Sequence, residues 1–327
     1  MKYVGIHTQQ VKNNFKSLLL LCLFPCLVVL LTLLFSVLVV FFISGDNAEL
    51  GIIADAGVWN QSLALFQTIA PYVIIGVAIW FLIAYFANTA IIRRATGSRP
   101  LERIENKRVY NLVENLCMSQ GMAMPQINII EDDSLNAFAS GINNRTYTVS
   151  LSRGIINKLD DDELGAVIAH ELTHIRNRDV RLLIISIVFV GIFAMLAQIA
   201  FRTLLHSGHR RSNSKNDGKG AAVMILVALF IAIIGYIFTT LMRFAISRNR
   251  EYMADAGAAE MTRKPQALAS ALRKISRDPE IEAVTRSDVA QLFIEHPHKK
   301  KSFAAGISGL FATHPPIKKR IAILEQF

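Results

Sequence analysis

Charge is scarce in this chain. Asp, Glu, Lys and Arg supply only 18% of its 327 residues, while 52% are hydrophobic; a soluble globular protein carries roughly 25% charged residues. With a mean hydropathy of +0.38, that balance excludes an ordinary water-soluble protein. Cysteine is scarcer still. Cys22, Cys26 and Cys117 are the only three, with no spacing that suggests a disulfide framework or a CxxC metal site, which fits a reducing compartment for the soluble part. The net charge is +10, yet no basic stripe interleaved with aromatics exists, so nucleic acid is not an expected partner. The basic residues instead flank apolar blocks, as the positive-inside rule and anionic headgroups favour. The centres of those blocks lack ionisable residues, which counts against a transporter. Internal repeats and low-complexity stretches are absent.

What the sequence does have is four apolar blocks, Ser17 to Ile43, Ile69 to Ile92, Val180 to Phe201 and Ala221 to Met242. Each is long enough to cross roughly 30 Å of hydrocarbon. The first lacks a small-residue cleavage site and is read as a permanent span. The tail before it carries Lys2, Lys12 and Lys16. The loop from Ser44 to Thr68 holds Asp46, Glu49 and Asp55 without any Lys or Arg, and Arg93, Arg94 and Arg99 follow the second block. This asymmetry predicts a multi-pass protein of the inner (plasma) membrane whose tail and polar segments are cytoplasmic. Arg202, Arg210, Arg211, Lys215 and Lys219, between the third and fourth blocks, pull the other way. Two full crossings and a hairpin that does not fully span both stay open.

The expected organisation is α+β, a mostly helical membrane protein with four hydrophobic segments and a small β-sheet. Residues 1–94 hold the tail and two spans, 95–179 the first part of a catalytic domain, 180–242 a membrane hairpin and 243–327 the second part. In the first polar part, Val109, Leu112, Val113 and Leu116 share a helical face that closes near Gly121. Ile127 to Ile130 reads as a buried strand, and Leu135 to Ser140 can pair with Thr146 to Leu151 across a turn. Asp160 to Glu163 then provide the N-cap and first-turn acids of a helix whose Leu164, Val167, Ile168, Leu172 and Ile175 form an apolar face.

That helix carries His170-Glu171-Leu172-Thr173-His174. Imidazoles four apart stand one turn above the other and can share one zinc ion, with Glu171 placed to take a proton from water. A catalytic zinc needs a third protein ligand. The arrangement with a Gly and then a third His soon afterwards is excluded, because Asn177 and Val180 occupy those positions. The remaining candidate is Glu251, with Asp255 four residues on to accept the second N–H of a ligating His; a solvated acidic pair is the competing reading. His296 and His298 beside Lys299 to Lys301 read as a solvated loop. Arg176, Arg178, Asp179 and Arg181 read as headgroup anchors and local ion pairs.

His170 to His174, the Glu251 to Asp255 segment with its preceding Ser-Arg, Asn136-Ala137-Phe138-Ala139 and Thr313-His314-Pro315-Pro316 with Arg320 together resemble the HtpX membrane metalloproteases. These are similar to the CAAX prenyl proteases of the same superfamily. The resemblance runs through nearly the whole chain. It implies a gluzincin fold, one zinc held by His170, His174 and Glu251, Glu171 as general base, and quality control of misfolded or membrane polypeptides. His314 and Arg320 are expected to steady the oxyanion, and Asn136, Ala137, Phe138 and Ala139 to hold substrate along a strand edge. The longer tail, the loop after the first span and the Lys-rich insertion depart from the family's shorter pattern. The alternative from another class is a zinc-stabilised membrane scaffold without catalysis.

Overall fold

The computed structural model describes residues 6–44, 56–207, 225–237, 249–276 and 315–326. The chain divides into two compact units, one of residues 1–17, 85–185 and 244–327, the other of residues 18–84 and 186–243.

The second unit is built from long apolar helices. Helix α1 (Ile6–Ser44) passes through both units, as do α2 (Ala56–Thr96) and α6 (Asp179–Ser207), and α7 (Ile225–Ile237) is shorter. Val11–Phe42 and Gly57–Ile83 are long and apolar enough to cross a membrane. Four such segments are expected from the sequence; among the described residues two qualify, and the 13 residues of α7 rise only about 20 Å. In Gly57–Ile83 only 6% of the apolar window is buried within the protein, so side chains such as Tyr72, Ile74, Ile75 and Leu82 face outward. A surface of that kind needs hydrocarbon around it. Inside the helices the polar groups are satisfied locally: Thr32, Ser36 and Ser62 return their hydroxyls to the carbonyls of Val28, Thr32 and Val58. Helix α2 begins at Ala56, where the sequence reading has loop up to Thr68. Ala56 to Thr68 contains no Pro, its one Gly, Gly57, stands in the first turn, and Leu63, Leu65 and Phe66 continue the apolar pattern.

The first unit carries a four-stranded mixed sheet in the order β1-β2-β4-β3. Strand β1 (Arg99–Pro100) runs antiparallel to β2 (Gln126–Ile130), which is parallel to β4 (Thr148–Ser152). Strand β3 (Ala137–Ser140) lies antiparallel to β4 at the sheet's edge. Helix α3 (Lys107–Ser119) buries Val109 and Val113, and Gly121 follows it in the left-handed region, φ 61°. A short α4 (Arg153–Lys158), capped by Ser152 and absent from the sequence reading, leads into α5 (Asp161–Arg176).

Helix α5 is the axis of this unit. Asp160 and Glu163 form a capping box at its start, a stabilisation of about 1 kcal/mol. Leu164, Val167, Ile168 and Leu172 are completely buried, each contributing about 1.5–3 kcal/mol of apolar transfer. Both ends are tied to neighbours. Glu163 accepts from Ser270 and Lys274 at 2.7 and 2.6 Å, and Arg176 donates to Gln120 at 2.8 Å. Packed around it are α8 (Asn249–Thr262) and α9 (Pro265–Ile275). A final helix, α10 (Ile317–Leu324), lies on α9 and α8 and buries Arg320 and Leu324.

Candidate metal centre

Helices α5 and α8 meet closely because Gly257 has no side chain. A Cβ there would stand 2.5 Å from Thr173 Cγ2. Six residues earlier on α8, the same approach sets Glu251 against the two histidines of α5. The ligand-capable atoms of His170, His174 and Glu251 all lie within 4.8 Å of one another. His170 Nε2 and His174 Nε2 are 3.2 Å apart, and each is 3.7 Å from a Glu251 oxygen. Tetrahedral ligands at 2.0–2.1 Å from a shared ion stand about 3.3 Å from each other, so the three side chains fit such an ion with small adjustments.

Charge gives a second test of fit. Glu171, Glu251, Asp255 and Asp179 are buried carboxylates in this cluster, and Arg320 is the buried guanidinium among them. Four potential negative charges against one fixed positive charge, all buried, call for further cations. A divalent metal answers that need, and two imidazoles with one carboxylate are a donor set suited to it.

Each histidine is oriented from behind. His170 Nδ1 is 3.1 Å from Asp255 Oδ1, and Arg320 grips the same carboxylate with Nε and Nη2 at 2.8 and 2.7 Å. Burial alone would depress the His170 pKa; the nearby Asp255 and Glu251 carboxylates outweigh it and push the pKa up to about 9. Asp255 is also buried, but the Arg320 charge and its contact with His170 hold its carboxyl below the ordinary range. His174 Nδ1 is 3.1 Å from Asp179 Oδ2. This corrects the reading of Asp179 as part of a headgroup-facing cluster: it is 1% exposed and turned toward the metal centre. The reversal is made by Arg178, which takes φ 61° between α5 and α6.

Glu171 is buried next to the ligands, and desolvation raises its pKa against the pull of His170 and His174. The backbone N–H of Ala139 faces it and also favours the charged form. Strand β3 therefore touches the reactive side of α5. The Ser152 N–H donates to the Asn136 carbonyl and the Asn136 N–H to Ser152 Oγ, both at 3.0 Å, so by antiparallel alternation the backbone N–H and C=O of Phe138 and Ser140 face β4 while those of Ala137 and Ala139 face the edge. The Ala137 N–H is occupied by Asn136 Oδ1 at 2.9 Å. All four strand residues are buried. Arg320 reaches the centre as well: Nη1 is 3.6 Å from Glu251 and Nη2 3.4 Å from His170 Nε2. His314, His296 and His298 lie outside the described residues.

Two histidines one turn apart, a glutamate from a second helix and a buried carboxylate between the first pair define a metallopeptidase site. The family model of peptidase family M48 matches residues 103–327, and the chain belongs to that family. Within it, the chain is similar to the proteases named HtpX homologs. The Bacteroides fragilis protein is 67% identical over 330 residues, covering all of both chains. The Listeria monocytogenes relative is 37% identical over 87% of this chain and 92% of its own length. The Dictyoglomus thermophilum relative is 39% identical over 76% and 81%. Among solved structures, that of S. mikatae Ste24p aligns at 19% identity with a TM-score of 0.43, covering 89% of this chain and 61% of that one. Family membership makes the protein a metalloprotease acting on polypeptides, and its apolar helices place it in a membrane.

Proposed function

We propose that this chain is a zinc endopeptidase of the inner membrane that cuts misfolded or membrane-anchored polypeptides at the cytoplasmic face, in the service of protein quality control. The observation that carries the peptidase reading is the joint placement of His170, His174 and Glu251 around one point, with Glu171 beside it. His170, His174 and Glu251 hold the metal. When bound there, zinc supplies Lewis-acid polarisation of the scissile carbonyl and of the attacking water.

The remaining work falls to side chains. Glu171 takes a proton from the water and delivers it to the leaving amine, and its raised pKa suits a group that must both accept and return a proton. Asp255 and Asp179 fix the tautomers of His170 and His174. Arg320 holds Asp255 through Nε and Nη2 and faces Glu251 with Nη1 at 3.6 Å, which brings its positive charge beside the site where negative charge develops, with His314 as a second donor. Substrate lies extended along Asn136 to Ala139, adding a strand to the β3 edge through the carbonyls of Ala137 and Ala139. Across the bilayer, the basic tail and Arg93, Arg94 and Arg99, set against an acidic loop, support a cytoplasmic site.

Glu171→Gln tests this reading. In detergent, cleavage of an unfolded substrate falls to background while zinc stays at one per chain, and chelation of the wild type removes activity that added zinc restores. Retained cleavage by the variant would falsify the general-base role, whereas a wild type that binds zinc and cleaves nothing would leave the scaffold reading in its place.

A further inference from the structure

The first turns of α1 are built inside out. Val11, Lys12, Phe15 and Lys16 are exposed, Phe15 by 64%, whereas Asn13 and Ser17, four apart on one face, are buried. A helix that presents apolar side chains outward and an amide inward has a polar partner for that amide. Here the partner is the turn between α5 and α6. Asn13 Nδ2 donates to Asn177 O at 2.9 Å and to Asp179 Oδ1. Both acceptors require the N–H end of the amide, so its orientation is fixed. Its Oδ1 is buried without a hydrogen bond among the described residues, a disfavoured arrangement held in place by what Nδ2 does. Ser17 locks the same turn of α1 by donating to the Asn13 carbonyl at 2.9 Å.

The other oxygen of Asp179 is the one that faces His174 Nδ1. We infer that Asn13 is a positioning residue of the metal centre. It holds Asp179 so that His174 keeps the tautomer and ring plane that present Nε2 to the ion, in the way that Arg320 serves Asp255 and His170. One consequence is that the start of the first apolar helix and the metal site are joined by side-chain bonds, so the segment ahead of the span belongs to the machinery of the site. The inference rests on the zinc reading above.

The test uses the full chain in detergent, with zinc as the probe. Zinc affinity is measured by competition with a chromophoric chelator, ring geometry by the visible spectrum of the cobalt-substituted protein, and folding by melting of the metal-free form. Asn13→Leu, which keeps the branched shape and removes the donor, and Asn13→Ala should each weaken zinc about tenfold, the lower end of what outer residues of metal sites contribute, and shift the cobalt bands. Asp179→Ala should lose more, and Asn13→Leu added to it should lose nothing further, because Asn13 acts through Asp179. Wild-type affinity and an unchanged cobalt spectrum in Asn13→Leu would overturn the inference, as would losses that simply add. Failure of both Asn13 variants to fold would overturn it too, marking Asn13 as a determinant of the fold. A wild type that binds no zinc is a separate result, which brings down the zinc reading itself.

Discussion

At the scale of single residues, the metal centre concentrates ionisable groups that water would normally solvate, so each depends on its partners. Removing Glu251 takes away one of three ligands and the carboxylate that faces Nε2 of both imidazoles. Glu251→Ala should weaken zinc by at least the hundredfold that marks the upper end of outer-residue changes, read as metal content after gel filtration; full occupancy would remove Glu251 from the ligand set. Arg320 poses a different question, because it is 1% exposed and bonded twice to a buried carboxylate. Arg320→Met keeps much of the volume but leaves Asp255 without its cation. Breaking one side of a buried pair costs about 3–5 kcal/mol, which a denaturant titration of the detergent-solubilised protein should detect. A loss below about 1 kcal/mol would mean that water or another cation takes the place of Arg320.

At the scale of elements, the contact between α5 and α8 decides whether three ligands meet. Gly257 sits against Thr173 with no room for a side chain, and Thr173 is one residue from His174. Gly257→Val should push the helices apart. Overpacking of this kind destabilises by about 1–3 kcal/mol, and zinc affinity should fall alongside stability because the displacement lies between Glu251 and the histidines. A variant with wild-type zinc affinity would show that α8 can shift without moving Glu251. The same contact explains what the sequence revealed. His170, Glu171 and His174 were legible because helical period alone puts them together, and the apolar face of α5 was legible for the same reason. Glu251 and Asp255 could be nominated by spacing, but their meeting with α5 depends on packing at Gly257. Asp179 was misjudged because it reaches His174 only through the left-handed Arg178, a conformation that an arginine does not advertise. Asn13 was invisible, since a lone asparagine before an apolar run carries no periodic signal and its partner stands 166 positions away.

At the scale of the whole molecule, the distribution of charge sets which side of the bilayer holds the site, and cysteine scarcity makes this measurable. Cys117 is buried, and burial pushes its thiol up to about 11, so it stays protonated and slow toward maleimides near neutral pH. Cys22 and Cys26 lie within the apolar run of α1, where a charged reagent does not reach. A cysteine introduced elsewhere therefore reports on its own position. Lys107 is an exposed residue at the start of α3, on the unit that carries the metal centre; Asn47 stands in the acidic stretch between the first two apolar blocks. With the basic flanks retained inside, Asn47→Cys should react with a membrane-impermeant maleimide in intact spheroplasts, and Lys107→Cys should react only after permeabilisation. Labelling of Lys107→Cys in intact spheroplasts would put the metal centre outside. Substrates would then have to be sought on the far side of the membrane, because a buried site that hydrolyses peptide bonds can act only on chains presented on its own side.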